Sequence, residues 1–338
     1  MITAPLLGKA WIIDDMSTGQ FISRCTADAM TTAAASIAEG NLVAFPTETV
    51  YGLGADASQE SAVAKIYAAK GRPADHPLIV HISSMDGIGY WVDEISEYAI
   101  ALARTFWPGP MTLICKRSDA AKDFITGGQE TVGLRVPDHV VALALLDSAK
   151  KIGVQGIAAP SANRFGHVSP TTAQAVREEL DQYLSPDDAI LDGGPSQVGV
   201  ESTIIDCTGS NPHILRPGAI TQAMIEEVTG LKVTDAQSEI RVSGSLENHY
   251  APQAIVVLDT TPNSGDGYIA MSDKPTPAGV IRLAAPESIE DFARILYSAL
   301  REGDSKNIAR ICIDQPQRGG LAVAIRDRLK RASRGLEL

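Results

Sequence analysis

Thr47, Glu48, Thr49 and Tyr51 place four oxygen-bearing side chains within five residues, directly after the apolar run 42–45. Lys70, Arg72, His76 and His81 then gather cations and ring nitrogens around the next apolar run, 78–82. Hydroxyls beside one strand end and positive charge beside the next are suited to holding an anion, because open α/β sheets present ligands at strand ends. Downstream come Ser161-Ala162-Asn163, Ser169, Glu201-Ser202-Thr203 and Arg216, each where an apolar run stops or turns. Arg135 is a cation inside the run Leu134-Arg135-Val136. Burying it is costly unless it meets an anion.

Each group also has a plainer explanation. Lys70-Gly71-Arg72 could simply close a helix, with Gly71 as its cap and two cations favoured by the helix dipole. Ser161-Ala162-Asn163 and Ser169-Pro170-Thr171 could be ordinary capping chemistry, although helix N-termini also hold phosphate. Gly52-Leu53-Gly54-Ala55-Asp56-Ala57 matches a dinucleotide fingerprint. Against that match, Pro46 to Tyr51 separate the strand from the first glycine, and Asp75 lies among prolines rather than at a strand end.

The elements that must position these groups follow from hydrophobic period. Helices are expected over 26–39, 60–70, 96–106, 140–151, 171–180 and 221–228. Strands are expected over 42–45, 78–82, 111–116, 131–136, 157–159, 189–192, 202–206 and 213–216. Several strands follow one another without a helix, so the sheet should be mixed. Residues 229–253 have little periodicity and end in His249-Tyr250-Ala251-Pro252, two rings and a rigid stop that pack rather than float. A shorter α/β cycle follows, with strands over 254–258, 267–271, 280–283 and 308–313 and helices over 288–301 and 321–332. The expected division is therefore a catalytic domain over 1–228, a linker or lid over 229–253 and a small domain over 254–338.

Composition narrows the function classes. With 338 residues, 44% hydrophobic and 21% charged, the chain can bury two cores. A formal charge of −12 opposes general nucleic-acid binding through a basic surface. Residues 1–286 carry −14 and 287–338 carry +2, so the cations around 70–81 are a local feature of an acidic region. Cys25, Cys115, Cys207 and Cys312 form no C-x-x-C pair, which signals neither a zinc site nor a disulfide framework. No charged leader with an apolar core opens the sequence, and no run of about 20 apolar residues occurs, so membrane association is not expected and cytoplasm is the simplest address.

Taken in order, Phe45-Pro46-Thr47-Glu48-Thr49-Val50-Tyr51-Gly52-Leu53, Lys70-Gly71-Arg72-Pro73, His76-Pro77-Leu78, Trp107-Pro108-Gly109-Pro110 with Thr112, Arg135-Val136-Pro137, Ser161-Ala162-Asn163, Ser202-Thr203-Ile204-Ile205-Asp206, Leu215-Arg216-Pro217-Gly218, His249-Tyr250-Ala251-Pro252 and the tail from Leu296-Tyr297 to Arg328-Leu329 resemble the threonylcarbamoyl-AMP synthase family in its long, two-domain form. The resemblance implies a YrdC-like twisted mixed sheet with flanking helices, plus a small C-terminal Rossmann-like α/β domain. It implies a nucleotidyltransferase that joins L-threonine, bicarbonate and ATP into threonylcarbamoyl-AMP, for the N6-threonylcarbamoyladenosine modification at position 37 of tRNA.

By the same resemblance, Thr49, His81, Arg135, Ala159 and Ser202 would meet L-threonine. Lys70, Arg72, His76, Thr131, Ser161, Asn163, Ser169, Arg216 and Tyr250 would meet ATP, with Lys70 and Arg72 catalytic and Mg2+ arriving on the triphosphate. A downstream tRNA threonylcarbamoyl transferase machinery is the implied partner. A double-stranded RNA-binding module is the alternative, since the patch around Lys70 and Arg72 could bind RNA weakly. A lid at 249–252 implies that a chain cut after Pro252 keeps part of its activity, while one cut near Thr229 loses most of it.

Overall fold

Short runs of Val, Ile, Leu and Ala separated by helix-period segments give a layered α/β chain. The computed structural model describes residues 11–13, 25–234, 239–244, 249–317 and 319–335. Among these, eleven strands form one sheet. Its order runs Trp11–Ile13, Ala189–Leu191, Val43–Phe45, Gly52–Asp56, Ile157–Ala158, Ile79–His81, Thr131–Arg135, Met111–Arg117, Thr203–Asp206 and His213–Arg216, with Val92–Glu94 pairing separately onto Met111–Arg117. Ile79–His81 lies parallel to Thr131–Arg135, Thr131–Arg135 antiparallel to Met111–Arg117, and Met111–Arg117 parallel to Thr203–Asp206, so the sheet is mixed as the strand spacing implies.

Helices cover the sheet because their apolar stripes need it. Cys25–Ala38 and Val140–Lys151 bury Ile37, Leu145 and Ala149 against Val43, Phe45 and Ile157. Fully burying a side chain such as Ile37 contributes ~1.5–3 kcal/mol. Glu60–Lys70 buries Val63 and Ile66 and stops at Gly71, whose φ of 63° suits a residue without Cβ.

Gly52–Asp56 is the main departure from expectation. It is a buried strand, with Val43 opposite Gly54 and Ala55 opposite Ala158. Its glycines pack the sheet: a Cβ on Gly54 would stand 2.7 Å from Ile157 Cγ2 and 2.8 Å from Phe45 Cε1. This segment is therefore not the turn that cradles a pyrophosphate.

The second sheet has four parallel strands in the order Ile255–Leu258, Arg310–Ile313, Gly267–Ile269 and Ile281–Ala284. Helix Ile289–Ser305 begins at Ser288, whose hydroxyl accepts from Asp291 N at 3.0 Å, and buries Phe292, Leu296 and Leu300 at four-residue spacing. Leu321–Ala332 adds Ile325 and Leu329. The two sheets are not separate bodies in packing terms, since one apolar cluster joins Val50, Val168 and Val200 to Leu296 and Tyr297.

Residues 239–244 form a strap rather than a free tether. Ile240 and Val242 pack on Ile79, Ile114, Ile204 and Leu215, while Arg241 exchanges hydrogen bonds with Gln129 through its backbone N (2.7 Å) and O (3.0 Å). Among the described residues no helix is long and apolar enough to cross a membrane.

Candidate active site

Strand register brings distant residues to one edge. His81 is opposite Arg135, Leu134 is opposite Leu113 so that Arg135 falls next to Thr112, and Ile204 is opposite Arg216. Above this edge lies a cavity of ≈ 50 Å³, walled by Thr49, His81, Arg135, Ala159, Ser202 and Arg216 and closed by Ser243 and Gly244 of the strap and by His249 and Tyr250.

Its cations are buried and poorly answered. Arg72 and Arg216 are 7% and 4% exposed. Arg72 donates to Pro77 O (2.9 Å) and Ser243 Oγ (3.0 Å), and Arg216 donates to Ser202 O (2.9 Å), Ser202 Oγ (3.1 Å) and Ser243 O (2.8 Å). Lys70, 2% exposed, donates to the carbonyls of Ser161 and Asn163 at 2.5 Å each. A cation placed only to favour a helix dipole would point to water; this one does not. Burial, reinforced by Arg72, holds the Lys70 ammonium well below its ordinary range. Burial also lowers Arg72 to about 10. An arriving anion would relieve both penalties.

Unmade hydrogen bonds concentrate here too. Arg72 Nε, His81 Nδ1, Arg135 Nε, Asn163 Oδ1, His249 Nδ1 and Tyr250 Oη are buried without a partner. Leaving such a group unsatisfied costs about 1–3 kcal/mol. Burial, then Arg135, depresses His81 to about 3, so its ring is neutral. Arg135 touches Thr49 Oγ1 at 2.9 Å and lies 2.7 Å from Glu48 Oε1, yet neither Glu48 oxygen makes an aligned hydrogen bond. That proximity is a charge contact rather than a well-formed pair.

Comparison with known proteins decides the family. A family model for Sua5, YciO and YrdC proteins, described as telomere recombination, matches residues 35–218, and one described as the C-terminal domain of threonylcarbamoyl-AMP synthase matches 220–334. The threonylcarbamoyl-AMP synthase of Pyrococcus abyssi is 40% identical over 322 residues, covering 89% of this chain and 93% of that protein. The chain belongs to the threonylcarbamoyl-AMP synthase family. The Bacillus subtilis member is 40% identical over 90% of this chain and 92% of its own length. A crystal structure of Pyrococcus abyssi Sua5 complexed with L-threonine superposes with a TM-score of 0.82 at 38% identity, covering 91% of this chain and 94% of that one.

Within this family member the residues singled out from sequence fall into two groups. Thr49, His81, Arg135, Ala159, Ser161, Ser202, Arg72, Arg216 and Tyr250 line the one cavity. Lys70, His76, Thr131, Asn163 and Ser169 do not. Lys70 reaches the wall through the Ser161 carbonyl, and Asn163 holds the same loop by donating to Arg164 O (2.7 Å) and His167 O (2.9 Å). Ser169 donates to Glu201 Oε1 at 2.7 Å. His76 is half-buried edge-on to Phe165, with its ring lowered in pKa by burial and Arg72. Thr131 shares Arg135's strand face but stands four residues away, ~13 Å along the strand.

Sequence reasoning gave Glu48 and Glu201 no partners of their own. Both are buried carboxylates, 5% and 6% exposed. Burial alone would raise the Glu201 carboxyl, but Arg328 and Arg216, with hydrogen bonds from Arg328 and Ser169, hold it down at about 2. The available signal was their position inside apolar or hydroxyl-rich runs, where a charge needs an answer.

Proposed function

We propose that this chain is an L-threonylcarbamoyladenylate synthase, with a catalytic domain over 1–228, a lid over 229–253 and a C-terminal domain over 254–338. The reading rests on buried cations answered mainly by carbonyls and hydroxyls, and on orphaned polar atoms, around one cavity in a member of this family. Threonine's carboxylate pairs with Arg135, whose fork suits two carboxylate oxygens. Thr49 and Ser202 offer hydroxyls, Ala159 shapes the wall, and neutral His81 offers a hydrogen bond without adding charge.

The amine adds to the carbon of bicarbonate and water leaves, giving the carbamate. A carbamate oxygen then attacks the α-phosphorus, the bond to the bridging oxygen breaks, and pyrophosphate departs. Lys70, Arg72 and Arg216 oppose the negative charge that collects on the phosphates, with Ser161, Asn163, Ser169, Thr131 and His76 completing the nucleotide side. Bringing two anions together in fixed orientation is the main task, so positioned charge serves better than a protein nucleophile.

ATP is used as its Mg2+ complex. Glu201, the carboxylate lining the cavity, is already engaged by Arg328, Tyr297 and Ser169, so the metal comes with the triphosphate rather than to a carboxylate cage. His249 and Tyr250 cover the mixed anhydride against water. The product goes to a tRNA threonylcarbamoyl transferase, and we place the reaction in the cytoplasm. The test is pyrophosphate release from ATP with threonine and bicarbonate present together or singly. Release must require both; salt-dependent RNA binding without ATP consumption would instead support an RNA-binding module.

A further inference from the structure

Helix Leu321–Ala332 carries Arg328, whose side chain has no exposed surface. Its Nε donates to Glu201 Oε2 at 2.8 Å, and its guanidinium carbon lies 5.3 Å from the centre of the Tyr250 ring. Tyr297, on helix Ile289–Ser305, donates to the same Glu201 oxygen at 2.9 Å and stacks on Tyr250 with centroids 5.7 Å apart and planes at 20°. Glu201 and Tyr250 both line the cavity, and Glu201 immediately precedes Ser202. The same helix rests on the loop before them: a Cβ on Gly199 would stand 2.4 Å from Ala293 O and Arg294 Cα.

We infer that the C-terminal domain is part of the active site's framework, with Arg328 and Tyr297 as positioning residues that fix the 198–202 wall through Glu201 and the lid through Tyr250. A buried ion pair between domains could serve adhesion alone. The geometry goes further, because the two side chains that receive Arg328 and Tyr297 both line the cavity, one from the loop before strand Thr203–Asp206 and one from the 249–252 segment. Tyr250 also holds a φ of 64°, sparsely populated for a non-glycine residue, so its ring orientation depends on what it packs against. Adhesion itself has another source in the apolar cluster around Leu296 and Val200. The expectation that a chain cut after Pro252 keeps part of its activity changes accordingly. Such a cut removes both partners of Glu201 Oε2, leaving Ser169 on Oε1, and takes Tyr297 and Arg328 away from the Tyr250 ring.

This inference rests on the cavity being the synthase site, and its test separates the two ideas. In the full-length chain, Arg328→Met, Arg328→Lys and Tyr297→Phe are compared by steady-state pyrophosphate release, thermal unfolding and hydrogen exchange of residues 198–202 and 249–253. Arg328→Met is expected to lower kcat at least tenfold with the folded fraction unchanged, Arg328→Lys to recover part of it, and Tyr297→Phe, which keeps the ring, to lose about threefold. Exchange in 198–202 and 249–253 should rise in step while helix Val140–Lys151 stays protected. If Arg328→Met fails to fold, Tyr297→Phe carries the same test. Full kcat with unchanged exchange in those two segments, or a loss of rate that only tracks the loss of folded protein, overturns the positioning role. Absence of threonine-dependent pyrophosphate release from the native chain would instead overturn the synthase reading.

Discussion

Arg135→Ala removes the proposed partner of the threonine carboxylate, but it does more than that. Truncating one member of a hydrogen-bonded charge pair at a binding site costs about 2–5 kcal/mol. At tenfold per ~1.4 kcal/mol, the lower figure alone weakens threonine binding about 30-fold. The same change strands Glu48, whose side chain is 6% exposed and 2.7 Å from Arg135. Removing one partner of a buried pair costs about 3–5 kcal/mol of stability, against a total of about 5–15. A simple alanine variant would therefore confuse misfolding with lost recognition. Arg135→Met combined with Glu48→Gln removes both charges and should recover most of the stability. Threonine titration calorimetry on that folded double variant should still show at least 30-fold weaker binding, with ATP affinity within a few fold of native. Threonine affinity within about threefold of native would refute the assignment of Arg135.

Lys70→Met should weaken ATP binding while sparing threonine, measured by calorimetry with each ligand alone; it separates the two substrates better than Arg216→Ala, because Arg216 also donates to Ser202. Gly54→Ala should lower the unfolding free energy by about 1–3 kcal/mol through overpacking, read from denaturant unfolding, with no acquired or lost affinity for NAD. Stability should fall as pH drops from about 6.5: burial holds His81 and His249 at about 3, so the unfolded chain takes up protons that the folded chain refuses. Glu201, held at about 2, adds the same sign of change between the ordinary carboxyl range and pH 2. Thermal unfolding as a function of pH checks this, and an unfolding midpoint flat from pH 7 to 4 would contradict it.

Legibility in the sequence tracked the range of the interactions. Helix Val140–Lys151 could be bounded from sequence because its period, its His139 cap and its terminal lysines are all local. Gly52–Asp56 was missed because two of its five residues are glycine, and its strand character comes from neighbours on both sides rather than from propensity. Arg135 stood out as a charge in an apolar run. Arg328 entered only through the resemblance of the tail, because by itself in Ile325-Arg326-Asp327-Arg328-Leu329-Lys330-Arg331 it looks like any solvated arginine on an amphipathic helix. Only the fold distinguishes it from Lys330, which is exposed. The strap was similarly hidden, since Ile240 and Val242 acquire meaning only from the sheet face beneath them.

The contact between Arg328 and Glu201 spans 127 residues of chain. Synthesis is vectorial, and domains tend to fold as they emerge. The catalytic sheet is therefore made, with Lys70, Arg72, Arg135 and Arg216 in place, well before the helix that answers Glu201 leaves the ribosome. During that interval the nascent chain holds Glu201 with no Arg328 beside it and Tyr250 with no Tyr297 behind it. Prematurely terminated chains would stay in that state. If Arg328 positions the site as inferred, full turnover would be reached only once translation had passed residue 328 and its helix had folded onto Glu201.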